Sequence, residues 1–170
     1  ETCRTCGLGW TEPSPTPEEL RDAYGPAYTW QETTGAVARA EAFYRRALVR
    51  IDHARVVRQA CHLAGGIRLL DVGCGDGLLV SEARRMGLEA FGVDRPDAPL
   101  WPGCDPRWRG SGDIETMEQP EGSWDVASLF HVAEHLRAPV DLFRRVNRWL
   151  RPRGVFVLQV PNARSLQAQA

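Results

Sequence analysis

Between Leu69 and Gly77 the sequence reads LLDVGCGDG, an apolar run that ends on Asp71 and opens into a loop with Gly73, Gly75 and Gly77 around Cys74 and Asp76. Glycine at alternate positions lets a ligand come close to the main chain. A dinucleotide fingerprint G-x-G-x-x-G would need glycine at position 78, where Leu78 stands. Asp71 and Asp76 would also repel a diphosphate, so a ligand carrying positive charge suits the loop better. A third acid, Asp94, closes the stretch GVD, 21 positions after Gly73, and Arg95 follows it. A carboxylate at that point either accepts both hydroxyls of a ribose or forms a turn or helix cap. His131, Glu134 and His135 follow the apolar run SWDVASLF. An imidazole at His131 could serve as a general base or simply close the end of a strand, and His135 with Glu134 could instead brace the next helix. Near the start, Cys3 and Cys6 form one C-x-x-C pair, which is half of a tetrahedral zinc site, two free thiols or a chance disulfide.

These groups need a scaffold, and the hydrophobic pattern supplies one. IRLLDVG, LEAFGVD, SWDVASLF and VFVLQVP read as strands, while GLLVSEARRMG and PVDLFRRVNRWLRPRG read as helices. Strands that are apolar throughout and alternate with helices imply an α/β fold with a mostly parallel, doubly wound, Rossmann-like sheet. In such a sheet the ligand lies beyond the carboxyl ends of the strands, where the glycine loop, Asp94 and His131 all fall. Upstream, residues 36–64 read as one long helix whose inner face carries Ala40, Phe43, Ala47, Leu48, Ile51, Ala54 and Val57, ended by Gly65 and Gly66. His53 and His62 on it are simply solvated or packed. The stretch between Asp94 and Asp113 holds four prolines and three glycines and reads as loop. Trp101 within it either stacks on a base or plugs core. The chain thus divides into a lead-in (1–34) that includes a short helix at PEELRDAY, a helical segment on the core (35–66) and the ligand-binding core (67–170).

LLDVGCGDG with the later GVD resembles motif I and the strand-2 acid of the class I S-adenosylmethionine-dependent methyltransferases. GDIE, Gly112 to Glu115, is similar to that family's acidic turn after strand 3. WDVASLFHVAEHL resembles its motif IV, and LRPRGVFVLQVPN resembles the subsequent helix end and strand 5. The resemblance spans Ile67 to Asn162 and implies S-adenosylmethionine as cofactor. Asp71 with the carbonyls of the glycine loop would meet its ammonium, and the amides around Gly73, Cys74 and Gly75 its carboxylate. Asp94, with Arg95 beside it, would hold the ribose; Asp113 and Ile114 the adenine; Phe130 would end strand 4 at the site. The implied reaction is in-line methyl transfer to a small-molecule or sugar-type acceptor, on oxygen or carbon, with His131 and His135 as candidate bases. His131, Glu134 and His135 are also similar to the metal-dependent ubiquinone-biosynthesis O-methyltransferases, which place an acid where His131 stands. TCRTCGLGW with EPSPTPEELRDAY resembles the second half of a zinc ribbon that precedes a subgroup of these enzymes, so zinc is expected in a longer parent and the chain is expected to be truncated at both ends.

Composition narrows the alternatives. All 21 basic residues are arginine, which removes P-loop and Schiff-base chemistry, both of which need lysine. The net charge of -1 gives no global attraction to nucleic acid or anionic lipid, and no apolar run reaches the length of a membrane span. Five cysteines, odd in number and irregularly spaced, fit a reducing cytoplasm better than a disulfide framework. The expected partner is a small methyl acceptor, not nucleic acid or membrane. Two other classes stay open: a non-catalytic cofactor-binding or interaction module, and an NAD-dependent oxidoreductase, which Leu78 and the loop acids disfavour.

Overall fold

The computed structural model describes residues 4, 5, 16, 19, 36–96, 98 and 100–162. The chain divides into two compact units, Glu1–Ala38 and Arg39–Ala170. In the first, Thr16 and Glu19 form a reciprocal capping box: the Glu19 N–H donates to Thr16 Oγ1 (3.2 Å) and the Thr16 N–H to Glu19 Oε2 (2.7 Å). Glu19 is helical; the rest of the helix expected at PEELRDAY, and Cys3 and Cys6, lie outside the described residues.

The second unit is built on five parallel strands: β1 (Arg68–Val72), β2 (Glu89–Asp94), β3 (Arg109–Ser111), β4 (Trp124–Phe130) and β5 (Leu150–Gln159). Their order is β3-β2-β1-β4-β5. The chain therefore winds outward from β1 in both directions, as the strand–helix alternation implied. Register sets Asp71 between Gly92 and Ser128, and Phe130 opposite Gln159, so the candidate residues share the carboxyl edge. Consecutive side chains of a strand point to opposite faces, and the core divides accordingly. Leu69 and Val126 pack with Val57, Cys61, Leu79, Val80 and Ala83 on one face, while Leu70, Val72 and Ala127 pack with Leu142, Val146 and Trp149 on the other.

Three expectations are corrected. The upstream helix is not continuous: α1 (Ala36–Leu48) and α2 (Ala54–Ala64) are joined by a π turn, Val49–His53, in which the Ala54 N–H reaches back to the Val49 carbonyl. The extra residue of that turn rotates α2 by about 100° relative to an uninterrupted helix. Ala54, Val57, Ala60 and Cys61 are buried, as is His53, but Phe43 and Ile51 of the expected inner face are 74% and 70% exposed. The helix ends as expected, on left-handed Gly65 (φ 70).

The stretch after Asp94 is not only loop. It carries a 3-10 turn (Pro106–Trp108) and the edge strand β3, whose Arg109 pairs with Gly92. The helix crossing from β4 to β5, here α4 (Pro139–Trp149), stops before RPRG. Pro152 disfavours helix at the residue before it, and Leu150 already pairs with Trp124. Residues 151–154 bulge before the ladder resumes at Val155↔Val126. The helix between β1 and β2, α3 (Leu78–Arg85), falls where the pattern placed it.

Candidate functional site

The three loop glycines all have positive φ, at 74° for Gly73, 56° for Gly75 and 80° for Gly77, a region that favours residues without a Cβ. Their surroundings differ. A Cβ on Gly73 would run into Val132, and one on Gly77 would lie 2.7 Å from Cys104 Sγ, so protein packing accounts for both. A Cβ on Gly75 would meet nothing within 4 Å. Of the three, Gly75 is the one open to a ligand. Gly73→Ala is expected to lower unfolding stability by about 2–3 kcal/mol in urea denaturation, through left-handed strain and the Val132 clash. Gly75→Ala should cost only about 1–2 kcal/mol, the strain alone.

Asp94 stands beside this opening. Its Oδ2 accepts the Gly75 N–H (2.5 Å) and its Oδ1 the Arg95 N–H (2.7 Å), which fixes the carboxylate against the loop. Each oxygen retains a further lone pair for a hydroxyl. The turn also hangs from β2: the Gly73 and Cys74 amides both donate to the Val93 carbonyl (2.8 and 3.1 Å). Asp76 is buried, receives the Leu78 N–H (3.1 Å) and offers its carbonyl to Trp101 (2.7 Å). The Trp101 ring carries the Arg46 guanidinium 4.9 Å from its centroid.

Asp71 is buried one strand away, and Ser128 donates its hydroxyl to Oδ1 (2.7 Å). Burial pushes its carboxyl up to about 7, with the Ser128 hydrogen bond opposing and Asp94 adding to the rise. The Cys74 thiol, buried against Gly92, is held far above its ordinary value, chiefly by burial and then by Asp71 and Asp94. It is an inert packing group rather than a nucleophile.

Asp113 is exposed and its Oδ1 accepts the Glu115 N–H (2.8 Å), while Ile114 is half-buried against the second core. Glu115 was not singled out by the sequence. Its carboxylate receives the Arg137 (2.9 Å) and Ala138 (3.4 Å) amides, tying the GDIE turn to the segment ahead of α4. The Arg95 carbonyl receives Arg109 Nη2 (2.9 Å), so a β3 arginine with no sequence signal braces the turn after Asp94.

At the end of β4, His131 adopts φ 57°, unusual for a residue with a side chain. Its N–H donates to the Gln159 carbonyl (2.9 Å). Glu134 Oε1 lies 3.7 Å from His131 Nδ1 and 3.9 Å from His135 Nε2, so it stands between the two histidines. Phe130 stacks on His53, centroids 4.1 Å apart. His53 reaches the site only because of the π turn, for which the sequence period gives no signal. Among the described residues no group of three His, Cys, Asp or Glu side chains is placed to hold a metal, and no helix is long and apolar enough to cross a membrane.

A methyltransferase-domain family matches residues 40–170. A probable S-adenosylmethionine-dependent methyltransferase of Mycolicibacterium smegmatis is 30% identical over 144 residues, covering 79% of this chain and 51% of that protein. A ubiquinone biosynthesis O-methyltransferase of Nitrosococcus oceani is 31% identical over 58% of this chain and 44% of its own length. The chain thus spans about half the length of the curated relatives it matches. A solved SAM-dependent methyltransferase from Archaeoglobus fulgidus superposes with a TM-score of 0.59 at 25% identity, over 79% of this chain and 62% of that one. The winding of the sheet, the loop acids and these relatives agree, and the chain belongs to the methyltransferase-domain family, with the Rossmann-like core of its class I, S-adenosylmethionine-dependent members.

Proposed function

We propose that the chain binds S-adenosylmethionine at the β1–β2 carboxyl edge and supports transfer of its methyl group to a small-molecule acceptor, on oxygen or carbon. The reading rests on one observation above the rest: the Asp94 carboxylate is fixed beside Gly75, the loop glycine with open space where a Cβ would be. The donor set suits the cofactor. Two carboxylates, Asp71 and Asp94, match an ammonium and a ribose diol and would oppose a diphosphate. When bound, the cofactor supplies an activated methyl on a sulfonium centre.

The chain's own residues bind and orient. Asp94 accepts the ribose hydroxyls, with the Arg95 turn behind it. Asp71 offsets the ammonium charge; the Gly73, Cys74 and Gly75 amides, expected to meet the carboxylate, are already bonded to the Val93 carbonyl and to Asp94, so they hold the loop in shape around the cofactor instead. Asp113 and Ile114 flank the adenine, and Phe130 walls the site beside β4. In-line displacement then needs alignment and exclusion of water, plus a base when the acceptor is a hydroxyl or a carbon acid. His131 and His135, joined by Glu134, are the candidates on the β4 side. Relatives named as ubiquinone biosynthesis O-methyltransferases favour a small hydroxylated acceptor.

Asp94→Ala should weaken S-adenosylhomocysteine binding more than about tenfold, as expected for loss of a charged bidentate contact. Calorimetry on the wild type and the variant decides it, and equal dissociation constants would remove the ribose assignment.

A further inference from the structure

One group at the carboxyl edge has no part in that reading. The π turn rotates His53 inward until it is only 6% exposed, and its ring lies parallel to Phe130, with 16° between the planes. His131, the residue after Phe130, places its ring 6.3 Å from that of His53. His53 Nε2 is fully buried and has no hydrogen-bond partner among the described residues. An orphaned buried nitrogen is unfavourable, and in a native fold it calls for an explanation, such as a catalytic role or a bound water or ion. Two neighbouring features point the same way, since π turns occur disproportionately at functional sites, and His131 sits in a left-handed backbone conformation.

We propose that His53 is a catalytic residue of the acceptor site: its Nε2 accepts the hydrogen bond of an acceptor hydroxyl of phenol acidity and receives its proton, with His131 at the entrance. The proposal rests on the methyl-transfer reading and names its acceptor class. The acceptor oxygen forms a bond to the methyl carbon while the methyl–sulfur bond breaks, its electron pair returning to sulfur. The O–H bond breaks with its pair left on oxygen, and the proton passes to Nε2, leaving imidazolium.

Burial holds His53 below the ordinary histidine range, Asp52 opposing and His131 reinforcing the effect, so the ring is neutral and keeps a free lone pair near pH 7. The charged groups around it are Asp52 on its own turn, His131 after β4, and Glu134 beyond His131. A neutral imidazole lies within a few units of a phenol but far from an aliphatic alcohol, which selects the phenol. His131, whose ring lies 6.3 Å from that of His53, is 43% exposed on its side chain.

The test uses the full chain with 15N-labelled histidine, titrated with phenol and, separately, with anisole, which has the same ring without the hydroxyl. Phenol is expected to move the His53 Nε2 resonance toward its proton-bearing position, and anisole to leave it in place. His53→Phe keeps a ring on Phe130; it should bind S-adenosylhomocysteine as tightly as wild type and bind phenol roughly five- to tenfold more weakly, the loss of one neutral hydrogen bond. Equal responses to phenol and anisole, no response of His53 to phenol, or undiminished phenol binding by the variant would each overturn the proposal. Wild-type binding of S-adenosylhomocysteine is measured on its own, so failure of the cofactor reading is seen separately from the phenol response.

Discussion

Asp71→Asn is expected to raise the unfolding free energy at pH 8 by on the order of 3–4 kcal/mol and to leave it nearly unchanged at pH 4. In the fold the Asp71 carboxyl is pushed up from 3.8 to about 7, first by burial. A raised acid binds its proton more tightly when folded than when unfolded, so its contribution to stability falls as pH rises from about 4 and levels off above about 7. A shift of about three units corresponds to roughly 4 kcal/mol. Asparagine keeps an oxygen for the Ser128 hydroxyl and never ionises, so the slope disappears; its amide hydrogens offset part of the gain if they find no acceptor.

Thermal unfolding of both proteins from pH 4 to 8 measures this, and parallel curves would contradict it. The same experiment bears on function. A carboxylate that destabilises the folded protein at neutral pH is compensated when a cation binds beside it. S-adenosylhomocysteine, which keeps the ammonium, should therefore stabilise the wild type more than Asp71→Asn.

What could be read from the sequence is what local pattern encodes. The β1 loop and the Asp94 turn were legible because strand ends, alternate glycines and acids are all short-range signals, and the alternation of strands and helices gave the doubly wound sheet. The misses have long-range causes. β3 has three residues and exists because Gly92 offers Arg109 a ladder to join. RPRG follows a helical pattern yet belongs to β5, as a bulge held between the pairs Leu150↔Trp124 and Val155↔Val126 that flank it. Gly73 and Gly77 read as ligand-facing glycines, but the side chains that demand them, Val132 and Cys104, come from distant segments. His53 enters the site through a π turn that no hydrophobic period encodes, and so the unpaired imidazole beside β4 was legible only in three dimensions.

Asp125→Ala is expected to lower stability by about 2–3 kcal/mol without changing cofactor affinity in the protein that remains folded. Asp125 is buried at the start of β4. Its Oδ1 lies 2.7 Å from Arg151 Nε in the β5 bulge, and its Oδ2 accepts the Arg68 N–H at the start of β1 (2.8 Å). Arg151 continues to the Ala64 carbonyl at the end of α2 (2.8 Å). The carboxylate thus joins four segments at the amino edge of the sheet, and Gly66 lacks a Cβ where one would collide with it. Removing the acid takes the Asp125 partner from the guanidinium, which keeps the Ala64 carbonyl, and from the Arg68 amide, whereas Arg151→Ala leaves a buried carboxylate without its cation. Each change should cost about 2–3 kcal/mol, and the double variant should cost clearly less than the sum, because the second deletion removes a group that has already lost its ionic partner. Urea denaturation of the four proteins measures the coupling; additive losses would show that the pair is not a unit. The contrast with Asp94 is one of place. At the amino edge an acid bonded to Arg151 and the Arg68 amide holds segments together, whereas at the carboxyl edge an acid held by two backbone amides keeps lone pairs for a ligand. Asp125→Ala should therefore move the unfolding midpoint and Asp94→Ala the dissociation constant.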